Sequence, residues 1–224
     1  MTDALPLTTK IWVTRTEPAA TLSAEAWTKA GFYPIVAPLL SVEKLDSKSI
    51  IPDDATLIFT SANGVRHCGL IGDDRQVYCV GDATALMAKA LGFTSVTSAD
   101  GDWKKLTNII AKTSDPIVHI SGSIVRGQIV DTLRAQGFDA RREIVYQTRA
   151  VTSWPMDVNQ IDAVALYSPM AADILMALPP RYLGHLTAYC LSENIAAPLS
   201  GMTIRIAHAP NERALIACSE TPEP

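Results

Sequence analysis

The sequence predicts an α/β fold, and three observations carry that prediction. Short apolar runs alternate along the chain with stretches of helical periodicity. Three of the helical stretches end in the same Gly-Phe pair before a β-rich run. Small polar residues sit where apolar runs pass into helices, the arrangement expected of βαβ units with parallel sheets.

The apolar runs are Ile11-Trp12-Val13, Leu57-Ile58-Phe59, Val77-Tyr78-Cys79-Val80 and Ile117-Val118-His119-Ile120, with two more over residues 163–167 and 188–191. Runs so short and so continuously apolar read as strands covered on both faces. In the intervening helices, residues spaced by four are expected to face the core: Leu22, Ala26 and Ala30, then Met87 and Leu91, then Val125, Ile129 and Leu133. Thr16 is expected to cap the first helix and Asp82 the helix after Gly81. Gly31, Gly92 and Gly137, each followed by Phe, mark the helix ends. A glycine there adopts the left-handed conformation that stops the helix, and the next residue packs back on the last turn.

Residues 38–43 and 142–149 break the rhythm, being extended and not followed promptly by a helix. If they are connections, the middle of the chain is one domain inserted into another made from both ends. At 224 residues a single large domain is the competing arrangement.

Composition removes several function classes. With 48% apolar and 19% charged residues, the chain can bury a core and is not disordered. A net charge of −4 without a stripe of lysines or arginines argues against nucleic-acid binding. No apolar run approaches the roughly 18 residues of a membrane span, and residues 1–10 lack a basic segment followed by an apolar core, so a cytoplasmic protein without membrane association is expected. Cys68, Cys79, Cys190 and Cys218 form no C-x-x-C pair and read as free thiols. His67, His119, His185 and His208 show no ligand spacing, so no metal is expected, and His119 reads as a structural residue inside a strand. G-x-G-x-x-G, Walker A, H-E-x-x-H and G-x-S-x-G signatures are missing, which leaves nucleotide, zinc-hydrolase and esterase chemistry without an anchor.

The chemistry is expected at the strand-to-helix joints. These are Thr14-Arg15-Thr16, Thr60-Ser61-Ala62-Asn63-Gly64, Gly81-Asp82-Ala83-Thr84, Ser121-Gly122-Ser123, Ser168-Pro169 and Ser192-Glu193-Asn194. Unpaired N–H groups and the helix dipole favour anions at such joints. Several of them together would hold several carboxylates without a basic patch. Taken singly, each joint reads as no more than a helix cap.

In order and spacing these motifs resemble the uroporphyrinogen-III synthase family. The resemblance runs over residues 11–215 and rests on Val13-Thr14-Arg15, Pro38-Leu39-Leu40, Phe59-Thr60-Ser61-Ala62-Asn63-Gly64-Val65, Val80-Gly81-Asp82-Ala83-Thr84-Ala85, Gly122 with Arg126, Leu133, Gly137, Val145-Tyr146, Leu166-Tyr167-Ser168-Pro169 and Ser192-Glu193-Asn194-Ile195-Ala196. The chain departs from the family pattern at Thr16, where proline is common, and at Met170, where a second serine is common.

The resemblance implies two doubly wound parallel-sheet domains, one inserted in the other and joined by a two-strand linker. The first would comprise residues 1–37 and 151–224, the second residues 43–142, with linker strands at 38–42 and 143–150. It implies a cofactor-free, metal-free lyase of haem biosynthesis that cyclises hydroxymethylbilane to uroporphyrinogen III with inversion of ring D. The substrate would lie in a cleft between the domains, held largely by main-chain N–H groups. Tyr167 is the implied catalytic side chain, hydrogen-bonding the departing hydroxyl. The implied substrate-binding residues are Thr14, Arg15, Thr60, Ser61, Ala62, Asn63, Thr84, Gly122, Ser123, Arg126, Ser168 and Ser192. Arg15 and Arg126 would either pair with carboxylates or brace the fold. A monomer is expected, with transient contact to hydroxymethylbilane synthase as the source of substrate. The alternative is a non-catalytic two-domain module that binds a polyanionic small molecule.

Overall fold

A computed structural model describes residues 9–46, 50–125, 127–154 and 156–220. The fold is α/β, and the chain divides into two compact units, Met1–Ser41 with Arg149–Pro224, and Val42–Thr148.

The first unit is built on strands β1 (Lys10–Val13), β2 (Tyr33–Val36), β9 (Ala163–Leu166), β10 (Thr187–Cys190) and β11 (Thr203–Ile206). They lie in the order β2-β1-β9-β10-β11, and every neighbouring pair is parallel. Its helices are α1 (Ala19–Lys29), α6 (Pro169–Met176), α7 (Glu193–Ala196) and α8 (Glu212–Glu220). Side chains alternate across a strand, so each strand feeds two cores. Trp12 packs with Val164, Leu166 and Leu175 on one face. Ile11 and Val13 pack with Trp27, Ala165 and Leu215 on the other.

The second unit contains β3 (Leu40–Lys44), β4 (Thr56–Phe59), β5 (Gln76–Cys79), β6 (Ser95–Ser98), β7 (Ile117–Gly122) and β8 (Ala140–Ala150), in the order β3-β8-β7-β4-β5-β6. Its helices are α2 (Ala62–His67), α3 (Asp82–Ala90), α4 (Trp103–Ile109) and α5 (Ile129–Ala135). β4 to β8 form a parallel series. Leu57 and Phe59 enter one core and Ile58 the other, the signature of a sheet covered on both sides. The chain crosses between units through β3 and β8, which are neighbours in this sheet. The Leu45 N–H donates to the Val145 carbonyl and the Val151 N–H to the Leu39 carbonyl, both at 2.9 Å, so the numbering runs in opposite directions along this ladder.

All three Gly-Phe joints close as the sequence predicts. Gly31, Gly92 and Gly137 have φ of 90°, 106° and 90°. At each joint the glycine N–H donates to the carbonyl three residues back (Thr28, Lys89, Arg134), and the phenylalanine N–H to the carbonyl five residues back (Trp27, Ala88, Leu133). These paired bonds satisfy helix carbonyls that would otherwise lack donors. Phe32 then packs edge-on against Trp27 with ring centroids 5.0 Å apart.

Helix facing differs from expectation. α1 buries Ala20, Ser23 and Trp27, whereas Leu22 is 67% exposed. The indole of Trp27 fixes the rotation, because it buries far more apolar area than Leu22 would. α3 buries Thr84, Ala85 and Ala88 in place of Leu91. Ile129 and Leu133 face the core, but Val125 precedes α5. Neither expected cap forms: Pro18 precedes α1, and Gly81 is the N-cap of α3 with Asp82 in the first turn.

Candidate active site

In an open parallel sheet, ligands bind beyond the strand carboxyl ends where the strand order reverses direction. Both units have such a point. In the first, the chain steps from β1 to β2 and then returns to place β9 on the other side of β1. In the second, it steps from β4 through β5 to β6 and then returns to place β7 beside β4. Thr14, Arg15, Tyr167 and Ser168 follow β1 and β9, while Thr60, Ser61 and Ser123 follow β4 and β7, with Gly122 as the last residue of β7.

At the first point the side chains form one connected network. The Tyr167 hydroxyl donates to Glu212 Oε1 at 2.9 Å and accepts from Trp27 Nε1 at 3.1 Å. Glu212 Oε2 accepts from Ser23 Oγ at 3.0 Å and from Arg15 Nη1 at 3.2 Å. The Arg15 guanidinium also lies over the Tyr167 ring, 4.9 Å from its centroid. Burial raises the Tyr167 phenol well above its ordinary range, and the Glu212 charge adds to the shift. Tyr167 therefore holds its proton firmly. Thr14 is buried, and its hydroxyl donates to the Ala165 carbonyl at 2.7 Å, tying β1 to β9. Ser168 caps α6 by accepting from the Ala171 N–H at 3.2 Å. Ser192 stands at the start of α7, where its hydroxyl makes no capping bond.

At the second point lies a cavity of about 390 Å³, lined by Thr60 and Ser61 from the β4 joint, Ile124 and Val125 from the β7 joint, and Trp103 and Tyr146 among others. Apolar walls with a few hydroxyls suit a heteroaromatic ring bearing polar substituents. Gly64 and Gly122 are required here by close approach: a Cβ on Gly64 would stand 2.9 Å from the Ile120 carbonyl oxygen. Thr60 Oγ1 is 3.2 Å from His119 Nε2. Burial, with Arg142 nearby, lowers the His119 pKa to about 4, so this imidazole is neutral and structural. A smaller hollow of about 280 Å³, lined by Lys44, His67 and Cys68 among others, lies at the C-terminal end of α2 and holds none of the expected catalytic or substrate-binding residues.

Several main-chain donors expected at these joints are engaged within the fold. The Asn63 N–H donates to Ser61 Oγ, the Thr84 N–H to the Gly81 carbonyl and the Ser123 N–H to the Tyr146 carbonyl. Arg142 binds Ser121 Oγ and the Gly122 and Ser123 carbonyls, and so stiffens the β7 joint. Ala62 opens α2, and Asn63 Oδ1 accepts from Arg66. Thr84 is buried in the first turn of α3. Arg126 lies outside the described residues.

Sequence reasoning missed Glu212, Ser23, Trp27 and Trp103. For Glu212 a local signal exists, since Asn211 Oδ1 accepts from the Ala214 N–H and marks a helix start. Nothing in the sequence links that helix to Tyr167. Among the described residues, no three His, Cys, Asp or Glu side chains are grouped so as to hold a metal ion, and no helix is long and apolar enough to cross a membrane.

No curated protein matches the chain at significant similarity. Among solved structures, uroporphyrinogen-III synthetase from Helicobacter pylori aligns at 15% identity with a TM-score of 0.68, covering 95% of this chain and 98% of the other. A mutant uroporphyrinogen III synthase from the extremely thermophilic bacterium Thermus thermophilus aligns at 15% identity with a TM-score of 0.57, covering 95% and 96%. At such identities the likeness shows the fold. The family model described as uroporphyrinogen-III synthase HemD matches residues 22–217. That span takes in Tyr167, Glu212 and both reversal points apart from β1 with Thr14 and Arg15, and the chain belongs to the uroporphyrinogen-III synthase family, enzymes of tetrapyrrole biosynthesis.

Proposed function

We propose that this chain cyclises hydroxymethylbilane to uroporphyrinogen III and water, inverting ring D on the way. Family membership across residues 22–217 carries the reading. The reaction needs little strong acid or base. Loss of the ring A hydroxyl gives an electrophilic azafulvene, ring D attacks through its substituted carbon, and the spirocyclic product fragments and recloses. The protein's task is to favour that contorted route over direct closure, which is a matter of positioning.

The chain's own residues suit such a task. The hydroxyls of Thr60 and Ser61, the joint at Ser168 and the hydroxyl of Ser192 are the proposed contacts for acetate and propionate groups, with Ala62, Asn63, Thr84, Gly122 and Ser123 shaping the joints around them. Arg15 is paired with Glu212, so its proposed role combines bracing with attraction of substrate carboxylates. Arg126 is proposed as a second cation for those carboxylates. The cavity walled by Trp103, Ile124, Val125 and Tyr146 matches a pyrrole ring in chemistry. Tyr167 is the proposed side chain beside ring A. The enzyme is proposed to act as a cytoplasmic monomer that receives its labile substrate from hydroxymethylbilane synthase by transient contact.

The test supplies freshly prepared hydroxymethylbilane and resolves the oxidised ring isomers. Isomer III in excess over the protein-free control is the expected product. Isomer I alone would reduce the chain to a binder of polyanions.

A further inference from the structure

The Tyr167 network has a direction. A phenol has one proton to donate, and here it is given to Glu212 Oε1 at 2.9 Å. Trp27 Nε1 donates to the phenol oxygen at 3.1 Å. The proton is thus committed to Glu212, so that a further partner of this hydroxyl would meet its oxygen and not its hydrogen. Glu212 is itself fixed: Ser23, which is 1% exposed, and Arg15 hold its other oxygen at 3.0 and 3.2 Å. A proton donor for the departing hydroxyl would need the opposite orientation. It would also leave a phenolate beside a carboxylate, which like-charge repulsion opposes.

Resting on the reading of the chain as a bilane cyclase, we propose that Glu212 is a positioning residue that makes Tyr167 a hydrogen-bond acceptor toward the cationic azafulvene. In the step concerned, the hydroxymethyl C–O bond of ring A breaks with its electron pair on oxygen. That oxygen takes a proton from solvent and leaves as water. The pyrrole nitrogen lone pair fills the electron deficit, so positive charge develops on the ring A N–H. An oxygen polarised by an adjacent carboxylate stabilises such a donor more as the charge grows, which lowers the barrier without tightening ground-state binding. The proton lost later from the α-carbon of ring D returns to solvent.

The test is a double-mutant cycle on the full chain, read by isomer III formation and by thermal melting. Glu212→Gln keeps the shape and removes the charge; kcat is expected to fall about tenfold while KM changes less than about twofold. In a Tyr167→Phe background the same substitution is expected to have no further effect on kcat, because its route to the substrate is gone. An equal fall in both backgrounds, or an unchanged kcat in the single variant, overturns the role. Should Glu212→Gln fail to fold, Glu212→Asp, which withdraws the charge by one methylene, is read through the same cycle and decides in the same way. Wild-type protein that yields only isomer I overturns the proposed function, whereas wild-type protein that yields isomer III but fails the cycle overturns the role of Glu212 alone.

Discussion

Gly122 lies against the ring of Tyr146 so closely that a Cβ at position 122 would stand 2.5 Å from two of the ring carbons. Gly122 ends β7 and Tyr146 lies in β8, opposite a register shift in the ladder. Tyr146 is 8% exposed and forms part of the cavity wall. Gly122→Ala is therefore expected to push the ring out of place and lower stability by about 1–3 kcal/mol, read by chemical denaturation. Tyr146→Leu in the same background should recover part of that loss. A Gly122→Ala protein as stable as wild type would mean that the ring yields freely.

Removing the Tyr167 hydroxyl leaves Trp27 Nε1 and Glu212 Oε1 each one partner short. Tyr167→Phe is expected to slow isomer III formation about tenfold without abolishing it, since positioning of the bilane carries most of the acceleration. The isomer ratio after complete conversion is the measurement, with turnover as the second. Unchanged turnover would remove Tyr167 from the chemistry.

His119 gives a pH dependence with a definite sign. Its folded-state pKa, lowered to about 4 by burial and Arg142, lies below the unfolded value of 6.5. The unfolded chain therefore binds the proton more readily. The stability due to this group is fully present above pH 6.5 and is lost as the pH falls toward about 4, at up to about 1.4 kcal/mol per pH unit within that window. His119→Gln is expected to flatten the melting temperature over that range relative to wild type. Parallel curves for the two proteins would count against a neutral buried imidazole.

The helix-ending glycines allow backbone strain to be measured by itself. Gly31 and Gly137 both have φ of 90°, and a Cβ at either would meet nothing within 4 Å. Gly31→Ala and Gly137→Ala are each expected to cost about 1–2 kcal/mol from the left-handed conformation alone. Equilibrium urea unfolding measures this, and a cost near zero would mean the joints relax.

Much of the architecture was legible because local chemistry specified it. Gly-Phe pairs announced the helix ends, and continuous apolar runs announced strands covered on both faces. Rotation of α1 was not legible from spacing, because Leu22 and Trp27 both recur at helical intervals and only the size of the indole decides between them. The candidate site divides in the same way. Thr60, Ser61 and Tyr167 stand at strand ends that their own neighbours define. Glu212 reaches Tyr167 across 45 residues, and Ser23 reaches Glu212 across 189, pairings that no short-range pattern encodes. The Asn63 and Thr84 N–H groups are engaged by Ser61 and Gly81 within their own turns, the capping alternative that the sequence already offered, whereas the Ser123 N–H is engaged by Tyr146 of the neighbouring strand, which no local pattern encodes.

The central position of β1 between β2 and β9 has a consequence for synthesis. β1 leaves the ribosome well before its β9 neighbour, which is made some 150 residues later. Until then its buried Ile11-Trp12-Val13 edge has only one flank covered. The strands of Val42–Thr148 emerge together in the interval and can pair without waiting. Translation therefore completes the inserted unit first, while the half-made sheet that will carry Arg15 keeps an unpaired strand edge until β9 arrives.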